Sequence, residues 1–373
     1  MQEIGIGIIG TGFMGKAHAL AYRAVAGLFP ESLRPKLAVV ADIDADAAKH
    51  AAAQFGFARA SSDWKSLVTD PAVDVVSITT PNLVHKEQAL AAIAAGKHVH
   101  CEKPIAPGAA DAKIMMEAAE AAGVVTQVGY NYIKNPILAL ARSMIASGEL
   151  GEIVSFRGIH AEDYMANADA PYNWRVDPSG GGGAIADLGS HIVGMSRFLL
   201  GPIVEINADL QTVVKTRPVG QGATERRKIE VDDIGRAIVR FERGCSGTIE
   251  ANWVALGRKM QLGFEVTGTK GALVFSQERL NELQFYRADA DPRTAGFVRI
   301  EAGPQHEPYR NFIVAPGHQL GFNDLKTIEI ADFLHAIAGG ERKGPDFREA
   351  WEIQKVIDTA IQSSRERRWL TVS

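Results

Sequence analysis

Residues 4–15 read Ile4-Gly5-Ile6-Gly7-Ile8-Ile9-Gly10-Thr11-Gly12-Phe13-Met14-Gly15. An apolar run of strand length leads straight into the pattern G-x-G-x-x-G. An Ala-rich stretch with helical spacing, Met14–Val25, follows. In a strand–turn–helix context each glycine has its own task. Gly10 allows the tight turn, Gly12 lets the backbone approach a pyrophosphate, and Gly15 lets the helix pack on the strand. Unpaired N–H groups at the helix start then face the anion. Thr11, Phe13 and Met14 complete the loop and are expected to line a dinucleotide.

The pattern repeats along the first third of the chain. Apolar runs at Leu37–Ala41, Val73–Thr79, His98–Cys101 and Val124–Val128 alternate with helical stretches at Ala45–Phe55, Asn82–Ala95 and Asp111–Ala122. Strands that are apolar throughout and alternate with helices predict a parallel, doubly wound sheet of Rossmann type, covered on both faces. Gly56, Gly96 and Gly123 each follow a helical stretch, where a left-handed residue is commonly needed.

After about residue 128 the character changes. A helix is expected over Pro136–Ser147, a strand over Ile153–His160, and a polar, aromatic loop over Glu162–Pro178. The glycine run Gly180–Gly183 leads into a helix, Ala184–Leu200. Strand-type segments follow at Ile203–Val214, Asp233–Glu242, Ser246–Trp253, Gln261–Thr267, Ala272–Ser276 and Leu280–Arg287. Helices over Asp324–Ala338 and Phe347–Ser363 close the chain. Short turns between the strands predict an α+β domain with a large, mostly antiparallel open sheet. The expected division is a dinucleotide-binding domain over 1–128 and a substrate-binding and oligomerisation domain over 129–373. An open sheet needs its second face covered, which predicts a homodimer or homotetramer packed through that sheet.

Composition narrows the function. The 373 residues are 46% hydrophobic and 23% charged, which excludes a disordered or fibrous chain. The formal net charge of −4 offers no basic footprint for nucleic acid or anionic lipid. No apolar run approaches the ~18 residues of a membrane span. Cys101 and Cys245 stand far apart, with neither disulfide nor metal-site spacing, so no metal is expected and a reducing cytoplasm fits. The N-terminal MQEIGIGIIG has no basic stretch and no cleavage-like site, so it reads as a first strand rather than a leader.

Asp42 ends the second apolar run. A carboxylate there accepts from the adenosine ribose hydroxyls and repels a 2′-phosphate, which favours NAD over NADP. It lies later than the usual interval of ~20 residues, and an insertion around Gly27–Pro35 accounts for the delay. Asp44 suits the cap of the following helix. Thr79, Thr80, Pro81 and Asn82 sit at the carboxyl end of a strand, where ligands gather in such sheets. His85 follows three residues later in a first helical turn and joins the expected cofactor contacts.

The next strand ends in Glu102-Lys103-Pro104, and Asp187-x-Gly189-x-His191 stands later in the chain. Together with the glycine pattern, and in this order, these residues resemble the Gfo/Idh/MocA oxidoreductases, the family of glucose–fructose oxidoreductase and inositol dehydrogenases. The resemblance covers essentially the whole chain. It implies a dehydrogenase acting on a sugar, a sugar derivative or a cyclitol, with Lys103, Asp187 and His191 catalytic and Glu102 and Lys103 also at the cofactor. His191 has the proton-transfer role in such enzymes, and Asp187 binds or orients the substrate.

The residues themselves allow the same chemistry. Lys103 at a strand end can stabilise an alkoxide-like oxygen, and Pro104 keeps its backbone extended. Asp187 and His191 are four apart, so a helix puts them on one face. An imidazole titrating near neutrality suits a general base. Substrate contacts are expected from Lys103, Tyr132, His160, Trp174, Arg175, Asp187 and His191, with Tyr130, Asn131 and Tyr164 nearby and His318 and Asn323 as a further wall. Aromatic faces against C–H groups, with His and Arg on hydroxyls, suit a polyol or sugar. Two other readings stay open on these residues. One is an NAD-dependent glycosidase of the same fold, the other a non-catalytic module that senses NAD or sugar.

Overall fold

The computed structural model describes residues 2–373, which form two compact units. The first opens with β1 (Glu3–Ile9), α1 (Phe13–Leu28), β2 (Arg34–Ala41), α2 (Ala45–Phe55), β3 (Arg59–Ser61) and α3 (Trp64–Val68). It continues through β4 (Val75–Ile78), α4 (His85–Ala94), β5 (His98–Cys101), α5 (Ala109–Ala122) and β6 (Thr126–Val128). All six strands are parallel, in the order β3-β2-β1-β4-β5-β6. The order reverses between β1 and β4, so the crevice at their carboxyl ends is the place where this fold binds ligands. Ile4, Ile6, Ile8, Val75, Val76, Ile78, Val99 and Cys101 are buried, as strands covered on both faces require. Asp44 caps α2 through the N–H groups of Asp46 and Ala47, and Gly56, Gly96 and Gly123 take positive φ as expected.

The second unit contains α6 (Pro136–Ala146), β7 (Ile153–Ala161), α7 (Ala184–Asp187), α8 (Gly189–Leu200), β8 (Ile203–Gln211), β9 (Thr216–Pro218) and β10 (Arg226–Lys228). Next come β11 (Ile234–Phe241), β12 (Ser246–Asn252), β13 (Gln261–Gly268), β14 (Gly271–Ser276), β15 (Glu282–Arg287), β16 (Val298–Glu301) and α9 (Tyr309–Phe312). Then α10 (Phe322–Ile337), α11 (Phe347–Glu366) and β17 (Leu370–Thr371) complete the chain.

Nine strands form one sheet in the order β16-β15-β14-β13-β7-β12-β11-β8-β17. Every neighbouring pair is antiparallel except β7 with β12. Alternation decides which face is buried. In β11, Gly235, Ala237, Val239 and Phe241 point to the core, while Arg236, Ile238 and Arg240 point to solvent. Buried Ile192, Val193, Met195 and Leu199 of α8 belong to the same core.

The structure corrects the division expected at residue 128. The first unit runs to Lys134 and takes in Leu320–Glu352, and the second holds Asn135–Gln319 and Ile353–Ser373. The cause is local pairing. Val128 N–H donates to Pro345 O, Phe347 N–H donates to Thr126 Oγ1, and α10 delivers Lys326 to Glu102 just after β5 and Glu329 to His100 within it. The helix expected over Ala184–Leu200 is also two segments. They join through Leu188, where His191 N–H reaches back only three residues to Leu188 O. The strands β3, β9, β10, β16 and β17 are too short to show a period in the sequence.

Candidate active site

In the first unit the glycine loop is built as its sequence predicts. Gly10 has φ +99°, and a Cβ on Gly15 would stand 2.1 Å from Gly10 O, so only glycine permits this approach of helix to turn. Gly12 is the N-cap of α1 and supplies no side-chain cap, and no acidic residue stands in the first turn. A Cβ on Gly12 would meet no atom within 4 Å. Open space before uncapped N–H donors fits a pyrophosphate. Thr79 Oγ1 donates to Ile9 O and Gly10 O, pinning the turn to the end of β4. Thr80 donates to Gln88 Oε1, Pro81 is exposed, and Asn82 is buried at the start of the following turn.

Asp42 is held by a partner that sequence reasoning missed. Its Oδ2 accepts from Thr11 N–H at 2.9 Å and from Thr11 Oγ1 at 2.6 Å, and its Oδ1 accepts from Asp44 N–H. The carboxylate therefore stands preorganised at the end of β2, beside the loop. Phe13 of the loop and Ile43, next to Asp42 in the chain, are exposed apolar side chains. Phe13 stacks on Phe322 at 5.5 Å, and Phe322 packs against Tyr132 at 6.1 Å, so an aromatic row continues from the loop. Met14 is partly exposed on the same turn.

Two expected cofactor contacts have other work. His85 is fully buried, with Nδ1 3.1 Å from Pro104 O and Nε2 2.8 Å from Thr80 O. Its ring braces the two loops that follow β4 and β5, and burial lowers its pKa. The Glu102 carboxylate turns inward, to His18 Nε2 at 2.8 Å and Lys326 Nζ at 2.9 Å. Lys326 also reaches Glu329 at 2.6 Å, Glu329 accepts from His100 at 3.0 Å, and the rings of His18 and His100 stack at 4.4 Å.

All five groups of this cluster are buried. Burial alone would raise the Glu102 carboxyl, and the Lys326 ammonium and His18 outweigh it, holding it well below the usual range. Burial pushes His18 down to about 3, so its ring is neutral. Lys103 is half-buried, and its backbone N–H donates to Glu102 Oε2 at 3.3 Å. The cluster thus anchors the segment that carries Lys103. Nothing in residues 320–337 signals a partner for Glu102 in sequence, because the pairing spans more than two hundred positions.

In the second unit the polar, aromatic loop closes on Asp187. Tyr164 donates its hydroxyl to Asp187 Oδ2 at 2.8 Å, and Arg175 Nε lies 3.3 Å from the same oxygen. The Arg175 guanidinium sits 4.3 Å above the Trp174 ring and 5.8 Å above the Tyr164 ring. Burial and the Asp187 charge hold the Tyr164 phenol well above its usual value, so it stays a donor. The glycine run serves this arrangement rather than a phosphate, since a Cβ on Gly182 would stand 2.3 Å from Arg175 O.

The start of α7 is clamped by Asp232, another residue sequence reasoning missed. Its Oδ2 accepts from Ile185 N–H at 2.8 Å and its backbone O from Ala184 N–H, and burial raises its carboxyl to about 6.

His191 is buried on α8, and the His160 ring meets it edge-on at 5.4 Å. His160 was expected to touch substrate. It is buried, and both of its ring nitrogens are engaged, by Leu188 O and by Glu162. His318 is exposed, its ring turned to Pro316 O, and Asn323 lies in the other unit. Among the described residues no cluster of His, Cys, Asp and Glu could hold a metal ion, and no helix is long and apolar enough to cross a membrane.

Comparison with known proteins places this geometry in a family. Residues 4–130 match the family model described as "Oxidoreductase family, NAD-binding Rossmann fold", and residues 138–274 match the "GFO/IDH/MocA C-terminal domain". The chain is 37% identical to levoglucosan dehydrogenase of Pseudarthrobacter phenanthrenivorans, over 100% of this chain and 99% of that protein. Among solved structures it resembles levoglucosan dehydrogenase in complex with NADH and L-sorbose, with TM-score 0.96, 37% identity and full coverage of both chains. It also resembles an NAD-binding oxidoreductase from Klebsiella pneumoniae, with TM-score 0.94 and 43% identity, covering 100% of this chain and 99% of the other.

Proposed function

The chain belongs to the GFO/IDH/MocA oxidoreductase family, and from that membership we infer that it is an NAD-dependent dehydrogenase oxidising a CH–OH group of a sugar, sugar derivative or cyclitol. The observation that carries the reading is the uncapped, open glycine turn beside a preorganised Asp42 carboxylate. Gly10, Gly12 and Gly15 with α1 would hold the pyrophosphate, and Asp42 the adenosine ribose. Bound NAD supplies the acceptor for hydride.

The chain's own residues would do the rest. His191 takes the hydroxyl proton as general base. The Lys103 ammonium stabilises negative charge developing on the same oxygen. Asp187, fixed by Tyr164 and Arg175, offers its remaining acceptor capacity to substrate hydroxyls. Trp174, half-exposed over Arg175, gives an aromatic face to sugar C–H groups. Arg175 is already tied to Asp187 and stacked on Trp174, which favours an uncharged sugar over a sugar phosphate. Levoglucosan, the compound named for the relative, is therefore the first compound to try, followed by neutral hexoses and inositols.

The same reading has the enzyme acting in the cytoplasm, consistent with its two buried, unpaired cysteines. It acts as a homodimer or homotetramer through the outer face of the nine-stranded sheet. That face carries exposed Ile238 among the ion pairs Arg236–Glu250 and Arg157–Glu265. A substrate panel with NAD and NADP, followed at the NADH absorbance band, tests the activity. Steady NADH formation with a neutral polyol supports it, and no NADH with any of them removes it.

A further inference from the structure

His160 and Glu162, at and just beyond the end of β7, have no part in that chemistry, yet they are built against its proton acceptor. His160 Nδ1 lies 3.0 Å from Leu188 O, and Nε2 lies 2.9 Å from Glu162 Oε1. Leu188 O accepts at the same time from His191 N–H at 3.1 Å. One carbonyl at the joint of α7 and α8 thus ties the His160 ring to the His191 backbone, and the two rings meet edge-on.

Counting donors decides where the protons are. A carbonyl oxygen only accepts, so Nδ1 carries a proton. Nε2 faces a carboxylate, which also only accepts when ionised. Both contacts are satisfied only if the pair holds one proton more than a neutral ring and an ionised acid. An imidazole is the stronger base in water by about two pH units, so that proton belongs to His160.

We propose that Glu162 is a positioning residue for His191. By holding His160 doubly protonated, with its edge toward His191, it keeps His191 free of a proton and ready to accept one from substrate. The proposal rests on the reading of His191 as general base. A cation within ~6 Å disfavours a second positive charge. The other ionisable groups around the pair include the Tyr164 phenol, which feels the Glu162 charge and donates to Asp187, Asp187 from α7, bound by Tyr164 and Arg175, and His191 from α8. The neighbouring strands β12 and β13 place Ala251 and Leu262 beside His160, neither of them ionisable.

The test reads the imidazole nitrogens of the full-length protein, labelled with ¹⁵N-histidine, between about pH 6 and about pH 9. His160 and His191 are assigned with His160→Asn and His191→Asn. In the unsubstituted protein both His160 nitrogens should be protonated at pH 7. In Glu162→Gln only Nδ1 should stay protonated there, and the His191 midpoint should rise by about one pH unit. Glu162→Asp, which keeps the charge, should retain the original pattern. The acid limb of kcat should move with the His191 midpoint.

A singly protonated His160 at pH 7 in the unsubstituted protein overturns the proposal, whether or not the variants fold. So does an unmoved His191 midpoint in Glu162→Gln. The spectra need no turnover, so a failure of the dehydrogenase reading shows separately, as absent NADH formation by the unsubstituted enzyme.

Discussion

Lys326 Nζ lies 2.9 Å from Glu102 Oε1, and both side chains are sealed from solvent. One ammonium from α10 thereby neutralises the carboxylate that precedes Lys103, while Glu329 shares the same ammonium. Removing one member of such a cluster leaves buried charge uncompensated, at a cost of about 3–5 kcal/mol. Lys326→Met should lower stability by roughly that amount in urea unfolding at pH 7. Glu102 and Glu329 are held below their usual values, so the stability they lend is present above the unfolded carboxylate range and is lost as pH falls from that range through their lower folded values. The deficit of Lys326→Met should shrink below about pH 4. Equal stability of variant and parent at pH 7 would show that the cluster anchors nothing.

Asp42 should set the choice between NAD and NADP. Asp42→Ala removes the acceptor for the ribose and also frees Thr11, whose N–H and hydroxyl it holds. Steady-state kinetics should show KM for NAD rising about tenfold or more, with the NADP/NAD ratio of kcat/KM moving in favour of NADP. A higher kcat/KM for NADP than for NAD in the unsubstituted enzyme would contradict this role.

Asp232 makes a pH prediction of opposite sign to Glu102. Burial lifts its folded value to about 6, above the ordinary aspartate value of 3.8. Between those values the folded chain binds more protons than the unfolded chain, so stability falls as pH rises through the window. Asp232→Asn keeps an acceptor for Ile185 N–H and removes the ionisation. From about pH 4 to about pH 7 the variant should gain roughly 2–3 kcal/mol on its parent in thermal or urea unfolding. Parallel pH profiles would refute the buried, ionising carboxyl.

Much of this was legible in the sequence, for identifiable reasons. The first sheet announced itself because strands buried on both faces are apolar throughout, and the turns between them need glycine at fixed places. Asp187, Tyr164, Trp174 and Arg175 were visible as residue types, and the structure joins them around one carboxylate oxygen. What the sequence hid is pairing over distance. Glu102 looked like a cofactor contact until α10 brought Lys326 to it. His160 and His85 looked available, because a sequence shows a side chain and not the carbonyls that occupy it. Asp232 and Glu162 gave no signal, since single acids at strand ends are common and their partners are backbone atoms or a ring reached only on folding.

Substitutions at the proposed chemical groups should separate binding from chemistry. His191→Ala should lower kcat by about 10²–10⁴-fold with KM for NAD little changed, and should abolish the rise of activity through neutral pH. Lys103→Ala should cost about 10²–10³-fold, because water replaces a preorganised cation poorly. Near-normal turnover in either variant would remove that residue from the chemistry.

In the proposed reaction hydride passes directly from a substrate C–H to NAD. The most direct measurement uses the best substrate of the panel, deuterated at its ring carbons, and follows the mass of the reduced cofactor. The reduced cofactor should carry one deuterium and form in equal amount with a ketone or lactone product. Glycosidic cleavage without net cofactor reduction, or reduced cofactor free of deuterium, would contradict it.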